Sequence, residues 1–408
     1  MSVVDNRSFH SNIYGCEMIK TILLLSVIFC LRVGAQTGID VPELVRFDSL
    51  MLELISKYKI PGGQLAITYQ GRLVYNRGFG FADTSIKSLV QPNSIFRLAS
   101  ISKSITSIAI MYLFEKRLLS LDDKVFGVSG ILKDSIYQTA IDPRVYKITV
   151  RQLLNHSSGF KYDFASEPLW KTYEIAKAMG VSPPTYSFEL VLKWTLLNTT
   201  LGYSPGTSAY YSNFGSNILG LVIEKISGER YVDFVTNKIL IPLGITDMNA
   251  GRTLFENKYS NEVTYYDYPG APLSASIYTG IPNSVPAQYG GYNWEIMTPA
   301  GGWVASALDL CRLLVAVDRF TAKPDILLPT TIDSMTRKSD NSPDYALGWN
   351  VKGQDYWNAG GIQGTSTVIQ RNASHQLNYA ILFNSLPEIY TPFYYSFITL
   401  VADNFEAV

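Results

Sequence analysis

The pattern of apolar and polar positions predicts a helix and a β-hairpin near the start of the folded chain. Apolar residues recur with helical spacing over 41–58, and Pro61-Gly62-Gly63 ends that pattern. Two β-rich runs follow at 64–69 and 72–81. Gln70-Gly71 between them suits a tight turn, because glycine tolerates positive φ.

Strand-like runs also mark the end of the chain. These runs are 356–358, 365–371 and 377–383. A helical pattern at 390–405 follows them. Strands at both ends around a helical middle predict an antiparallel sheet built from both chain ends and flanked by helices, which is an α/β (α+β) fold. We expect an α/β lobe from residues 36–104 and 342–408, and an inserted, mainly helical lobe from 105–341.

The middle of the chain is predicted to be helical apart from one long irregular segment. The predicted helices are 102–116, 150–154, 188–197, 213–226, 231–239 and 307–317. Periodicity fails in 256–302, which is rich in Tyr, Gly and Pro. Such a loop either binds a ligand or covers core with aromatic rings, and the sequence leaves both interpretations open.

The first residues, 1–35, are predicted to be a secretory signal peptide. Lys20 precedes an apolar run at 22–31, and small residues ending at Ala35 suit cleavage there. The run is shorter than the ~20 residues that span a bilayer, so we expect no stable membrane insertion after cleavage. The mature protein is then periplasmic or secreted. A polar stretch ahead of a signal is unusual, which makes Met18 an alternative initiator.

Composition narrows the classes of function. The 408 residues are 47% hydrophobic and 17% charged, which is typical of a globular protein. Lys+Arg and Asp+Glu both number 34, so the charge balance does not favour nucleic-acid binding. The three histidines and three cysteines are not clustered at metal-ligand spacing, and we expect no metal or other cofactor. Neither a G-x-S-x-G elbow nor a phosphate-binding P-loop occurs.

The main candidate chemistry is a serine and a lysine three positions apart at the start of a predicted helix. Side chains at i and i+3 share a helix face, so Lys103 can reach the hydroxyl of Ser100. Burial by the apolar helix would lower the pKa of the lysine from ~10.4 and make it a base toward the serine. Tyr211 could accept or relay the serine proton, and Asn213 could hold the lysine and a substrate carbonyl. Taken singly, these residues are better explained by solvated surface, packing or an N-cap.

Together and in this order, these segments resemble the penicillin-recognising serine hydrolases, the superfamily of class C β-lactamases, DD-peptidases and serine esterases. The matching segments are IPGG (60–63), FRLASISK (96–103), LSLDD (119–123), ITVRQLLNHSSG (148–159), PGT (205–207), YSN (211–213), PAGGW (299–303) and LGW (347–349). The resemblance implies a β-lactamase/transpeptidase-like fold and an acyl-enzyme. It implies Ser100 as nucleophile, Lys103 as its general base and Tyr211 as the residue that returns a proton to the leaving group. Asn213 would orient Lys103 and the acyl amide, whereas His156 would belong to a structural H-x-S-G turn.

The chain departs from this superfamily at the third motif, where its members carry Lys-Thr-Gly or His-x-Gly. The matching segment, 357–361, has Asn358 in place of the cation, so we expect weak recognition of a substrate carboxylate. Gly360 and Gly361 allow close backbone approach. The N–H of Gly361 could complete an oxyanion hole with that of Ser100.

The sequence therefore predicts an exported serine hydrolase that cleaves an ester or amide bond in a small-molecule or peptide substrate, through an acyl-enzyme on Ser100. Two alternatives stay open. One is a β-lactamase or DD-peptidase acting on penicillins or peptidoglycan peptides. The other is a non-catalytic penicillin-binding or sensor module.

Overall fold

A computed structural model describes residues 36–182, 186–342 and 344–405. The predicted signal peptide, residues 1–35, lies outside these described residues. Within the described ranges, no helix combines the length and the apolar character that crossing a membrane requires.

Most of the strands come from the two ends of the chain. In chain order they are β1 Gln36–Gly38, β2 Gly62–Tyr69, β3 Arg72–Asp83, β4 Ser88–Leu89, β5 Phe96–Arg97, β6 Asn249–Ala250, β7 Tyr266–Asp267, β8 Trp303–Ala305, β9 Asn350–Lys352, β10 Asp355–Ile362, β11 Thr365–Asn372, β12 Leu377–Phe383 and β13 Ser385–Leu386. The main sheet runs in the order β1-β3-β2-β12-β11-β10-β9, with β4 paired to β3. Its neighbours are antiparallel, and β2 pairs with β12, so the predicted sheet built from both chain ends is confirmed.

Helices fill the middle of the chain and both flanks of the sheet. In chain order they are α1 Val45–Tyr58, α2 Ser102–Glu115, α3 Val150–Leu154, α4 Thr172–Ala178, α5 Phe188–Asn198, α6 Asn213–Ser227, α7 Tyr231–Val235, α8 Ala307–Val315, α9 Pro329–Thr336 and α10 Tyr390–Ile398. The structure adds α4 and α9 to the predicted helices and ends the last helix at Ile398. It also extends the predicted strand 356–358 to Ile362 as β10, because the two glycines pair with β11 instead of ending the strand.

The hydrophobic core has two parts, one on each face of the main sheet. On one face, α1 and α10 pack their apolar sides against β2, β3 and β12, with Met51, Phe79 and Phe393 fully buried. On the other face, α2 is buried almost all round against the helical lobe and the sheet. Because α2 carries Lys103, the second core holds one end of the candidate catalytic pair in place.

Helix α8 packs on the sheet, although the sequence places it in the helical lobe 105–341. The backbone N–H of Ala307 donates to Gln64 Oε1 at 2.6 Å, and the thiol of Cys311 lies 3.4 Å from the carbonyl of Ala66. The amphipathic pattern of 307–317 predicts a helix but carries no information about which surface the helix covers.

Candidate active site

Ser100 lies in a one-turn 3-10 helix, Ala99–Ile101, that runs directly into α2. Two threonines of β11 fix the chain before it. Thr365 Oγ1 donates to the carbonyl of Arg97, and Thr367 Oγ1 to the carbonyl of Leu98, each at 2.8 Å. Ala99 has φ of +46°, a left-handed conformation that is costly for a residue with a Cβ and is often found at functional sites.

The Tyr-rich segment 256–302 supports this turn from the other side. The guanidinium of Arg97 lies 4.3 Å from the ring centroid of Tyr265 and 4.4 Å from that of Trp294. It also donates to the backbone carbonyls of Arg252 and Gln288. The segment therefore covers core, as one of the two open interpretations expected, and it holds the residue three positions before Ser100.

Lys103 reaches Ser100 as the spacing predicts. Its Nζ lies 3.1 Å from Ser100 Oγ, 2.8 Å from Asn213 Oδ1 and 2.6 Å from the carbonyl oxygen of Ala300. A neutral amine has two N–H donors and one lone pair. Asn213 and Ala300 can take both donors, which leaves the lone pair directed at the Ser100 hydroxyl proton.

The electrostatics of the site favour that neutral amine. Lys103 is 3% exposed, and burial lowers its pKa from 10.5 to about 7, while the carboxylate of Glu167 acts in the opposite direction. A lysine with this pKa is about half unprotonated at neutral pH.

Tyr211 is the second group on the nucleophile. Its hydroxyl donates to Ser100 Oγ at 2.5 Å, and its ring lies 4.7 Å from Lys103 Nζ. The residue as a whole is 45% exposed, yet the protein packed around it raises the pKa of its hydroxyl. Tyr211 is therefore a neutral proton donor at neutral pH, not a phenolate base.

His156 supports Tyr211 from behind. The two ring centroids are 4.6 Å apart, and His156 Nδ1 accepts the backbone N–H of Ser212 at 3.4 Å. Burial, and to a smaller extent Lys103, lowers the pKa of His156 to about 3. The imidazole is neutral and packed, as the resemblance to a structural turn implies.

Asn213 opens helix α6 without capping it. The side chain of Ser212 is the N-cap, since its Oγ accepts the backbone N–H of Gly215 at 2.9 Å. The amide of Asn213 is therefore free to bind Lys103, which removes the N-cap explanation for this residue.

Strand β10 approaches the nucleophile through its glycines. A Cβ on Gly360 would lie 2.2 Å from the carbonyl oxygen of Leu98 and 2.9 Å from Ala99 Cβ, so only glycine fits there. The next residue, Gly361, lines the cavity beside Ser100. Gly361 therefore borders the cavity and Gly360 packs on the Ser100 turn, and the oxyanion hole stays a prediction.

Asn358 is the predicted site residue that the structure holds away from this cavity. It is 3% exposed, and its Nδ2 donates to Ser104 Oγ at 2.8 Å and to the carbonyl of Gly348 at 3.2 Å. Its side chain therefore contacts α2 about one turn beyond Ser100, and it is not among the residues that line the cavity. Substrate binding by Asn358 stays a prediction.

The cavity in front of Ser100 has a volume of about 240 Å³. Its lining is Ala99, Ser100, Phe164, Leu169, Trp170, Tyr211, Asn213, Met297, Ala300, Gly301, Gly361, Ile362, Gln363 and Leu386. Trp170 packs against Tyr292 with the two rings tilted at 59° and their centroids 4.9 Å apart, and it forms an aromatic wall. None of these described lining residues is an Asp, Glu, Lys, Arg or His. Met297, Ala300 and Gly301 come from segment 256–302, which therefore covers core and borders the cavity.

Comparison with known proteins identifies the chain. A family model described as Beta-lactamase matches residues 47–392. The chain belongs to the beta-lactamase family. It is 26% identical over 351 residues to penicillin-binding protein 4* of Bacillus subtilis (strain 168), a match that covers 82% of this chain and 70% of that protein.

Two solved structures share the fold of this beta-lactamase family member. The octameric penicillin-binding protein homologue from Pyrococcus abyssi has a TM-score of 0.64 and 24% identity, over 88% of this chain and 77% of that one. EstCE1, described as a hydrolase with promiscuous acyltransferase activity, has a TM-score of 0.63 and 22% identity, over 83% of this chain and 92% of that one. The resemblance to the serine β-lactamase-like superfamily and the fold class are confirmed, and the chain is a serine hydrolase of that superfamily.

Two features of the site lacked a sequence signal. Glu167 stands in a stretch of mixed polar and apolar residues without a motif, and only the fold buries it near Lys103. Trp170 precedes a helix too short for a clear periodicity, and its place in the cavity wall depends on Tyr292. For metals, within the described residues no group of three or more His, Cys, Asp or Glu side chains is arranged to hold an ion.

Proposed function

We propose that this protein is an exported serine hydrolase that cleaves esters or amides with an uncharged acyl group through an acyl-enzyme on Ser100. The observation that carries the proposal is the pair of contacts on Ser100 Oγ, from Lys103 Nζ at 3.1 Å and from Tyr211 Oη at 2.5 Å, at the wall of an uncharged cavity. A nucleophile within hydrogen-bond reach of both a base and a proton donor is what acyl transfer requires.

In acylation, the proton that Ser100 loses is passed to the leaving group by way of Lys103 and Tyr211. The lone pair of Lys103 accepts the Ser100 proton as Oγ bonds to the acyl carbon, and the oxyanion forms toward the N–H groups of Ser100 and Gly361. The bond to the leaving alcohol or amine then breaks, the leaving group takes a proton from Tyr211, and the proton on Lys103 restores the Tyr211 hydroxyl. Deacylation repeats the steps with water as the nucleophile and returns the hydrogen to Ser100.

The cavity favours a neutral, partly apolar acyl group. Trp170, Leu169 and Ile362 supply apolar surface, and the described lining offers no cation for a carboxylate. Loss of a charge-assisted hydrogen bond weakens binding of an anionic group by roughly 1–2 kcal/mol relative to a neutral donor, whereas a neutral substrate loses nothing. We therefore propose ester or amide hydrolysis in preference to efficient β-lactam turnover.

Export is part of the proposal because of the sequence pattern in residues 18–35, a basic start, a short apolar run and a small-residue end. A second candidate function is acylation by penicillins without fast turnover. It is favoured by the likeness to a relative named penicillin-binding protein 4*.

The test is Ser100→Ala. The purified wild type should hydrolyse p-nitrophenyl acetate and form a covalent adduct with a fluorophosphonate, and mass spectrometry should locate that adduct on Ser100. Ser100→Ala should lose both activities while folding normally, since it removes only the attacking oxygen. The matched control is Ser102→Ala, which removes a buried hydroxyl that contacts the backbone N–H of Trp303 and should keep both activities.

A fluorescent penicillin separates the two candidate functions. Slow labelling together with rapid ester hydrolysis supports the esterase or amidase. Fast labelling with no ester turnover supports the penicillin-binding alternative, and equal activity of wild type and Ser100→Ala on the ester would refute Ser100 as the nucleophile.

A further inference from the structure

A second buried ionisable group lies close to the proposed base. Glu167 precedes the 3-10 turn Pro168–Trp170 and is 3% exposed. Its Oε1 is fully buried and has no hydrogen-bond partner among the described residues. The following residues, Leu169 and Trp170, line the cavity, whereas Glu167 does not. Its carboxyl group therefore lies behind the cavity wall.

Asn213 connects this carboxyl group to the catalytic lysine. Lys103 Nζ donates to Asn213 Oδ1 at 2.8 Å. The side-chain amide and the backbone N–H of Asn213 also lie close enough to the carboxyl group of Glu167 to favour its charged form. An amide accepts through its oxygen and donates through its nitrogen at once, so a single side chain can link the amine to the acid.

We propose that Glu167 is a positioning residue that governs the charge of Lys103, and that the Asn213 amide between them couples the two groups. This inference rests on the function proposed above, because it matters only if Lys103 is the base toward Ser100. Glu167 does not line the cavity, so it acts on the reaction through its charge, which raises the pKa of Lys103 and that of Tyr211.

The two groups share one proton in two arrangements. In one, Glu167 is protonated and Lys103 is a neutral amine, and in the other a carboxylate faces an ammonium. Burial raises the pKa of Glu167 and lowers that of Lys103, so the uncharged arrangement competes with the ion pair. Only the neutral amine can accept the Ser100 proton.

The other titratable groups around the pair do not carry charge at neutral pH. Tyr162 and Tyr211 face Glu167, and burial raises the pKa of both phenols. His156 faces Lys103, and burial lowers its pKa to about 3. Glu167 is therefore the neighbour whose charge can change along with that of Lys103.

The sign of the effect follows from the electrostatics. A carboxylate at Glu167 stabilises the ammonium of Lys103 and raises its pKa. Removing that charge should lower the pKa of Lys103, so that the neutral base persists to lower pH. The acid limb of the pH profile of kcat/KM then shifts to lower pH.

The variant that tests this is Glu167→Gln, which keeps the size and the acceptor oxygen but removes the charge. For p-nitrophenyl acetate we expect a downward shift of the acid limb by about 1 pH unit, the low end of the effect of a nearby opposite charge. At one unit below the wild-type midpoint, activity relative to the plateau should rise roughly fivefold. Glu167→Asp keeps the charge and should restore the wild-type limb.

The matched control is Glu224→Gln. Glu224 is another partly buried acid, it lies on α6 with Asn213, and burial raises its pKa, but it does not act on the pKa of Lys103. Its pH profile should stay at the wild-type position. A Glu167→Gln profile that falls in height with no shift of its limb would overturn the proposal and leave Glu167 a purely structural residue.

A measurement on the wild type covers the case in which Glu167→Gln does not fold. Infrared difference spectra over pH should show a protonated carboxyl band that disappears with the same midpoint as the acid limb, and that moves in Glu167→Asp. A midpoint unrelated to the limb contradicts the coupling. If the wild type hydrolyses no ester at any pH, the proposed function itself fails, which is a different outcome from an unshifted limb.

Discussion

Gly360→Ala probes the closest approach in the site. The added Cβ would lie 2.2 Å from the carbonyl oxygen of Leu98 and 2.5 Å from Thr367 Oγ1, whereas ordinary contacts begin at 3.4 Å. The hydroxyl of Thr367 donates a hydrogen bond to the carbonyl oxygen of Leu98 at 2.8 Å, so neither residue can move away alone. Strand β10 must therefore separate from the Ser100 turn by about 1.2 Å, the difference between 3.4 and 2.2 Å.

This displacement should reduce both activity and stability. Overpacking of this kind costs about 1–3 kcal/mol of folding free energy. A misplacement near 1 Å lowers the rate about 100-fold, because Gly361 moves with β10 and carries the proposed oxyanion N–H. The assay is kcat/KM for p-nitrophenyl acetate together with urea unfolding.

A second glycine variant separates the two effects. Gly353 has φ of +62° and open space around it, so Gly353→Ala loses about 1–2 kcal/mol of stability through backbone strain far from Ser100. Its kcat/KM should be unchanged. If Gly360→Ala retained kcat/KM within twofold of the wild type, the close approach of β10 would not be what positions the oxyanion site.

The remaining predictions concern the catalytic pair and the third motif. Lys103→Ala and Tyr211→Phe should each remove most of the activity, and the double variant should lose little more, because both residues serve one proton on Ser100; strictly additive losses would show that they act independently. Asn358→Lys should increase penicillin acylation by up to about tenfold without raising ester hydrolysis, since a lysine is long enough to extend from Ser104 toward Ser100. Nitrocefin hydrolysis by the wild type at efficient β-lactamase rates would contradict this interpretation of Asn358.

Most of the fold could be predicted from local patterns in the sequence. The sheet was predictable because apolar runs and a glycine turn specify β2, β3, β11 and β12, and because long-range pairing of chain ends leaves few topologies. Helices α4 and α9 were not predicted, because each spans about two turns and buries too few apolar residues to set a period. The packing of α8 on the sheet could not be predicted, because amphipathicity does not identify the opposing surface.

Some residues of the site could also be predicted from the sequence, and others could not. Ser100 and Lys103 share one helix start, so their contact follows from spacing alone. Tyr211 and Asn213 come from a distant helix, and their role depended on the resemblance to a family. Glu167 could not be found in either way, since its importance arises from burial against Asn213.

The missing cation at Asn358 changes how the base is kept neutral. A positive charge near a lysine lowers the pKa of that lysine by repulsion, and the third-motif Lys or His of the resembling enzymes can act in this way. Here the described cavity lining supplies no such charge, and burial is the main cause that lowers the pKa of Lys103, against the opposing effect of Glu167. Desolvation is therefore what keeps this amine neutral, and it lasts only while water is kept from the amine. The buried segment around Ala300, whose carbonyl accepts a hydrogen bond from Lys103 Nζ at 2.6 Å, consequently serves the base as well as the cavity.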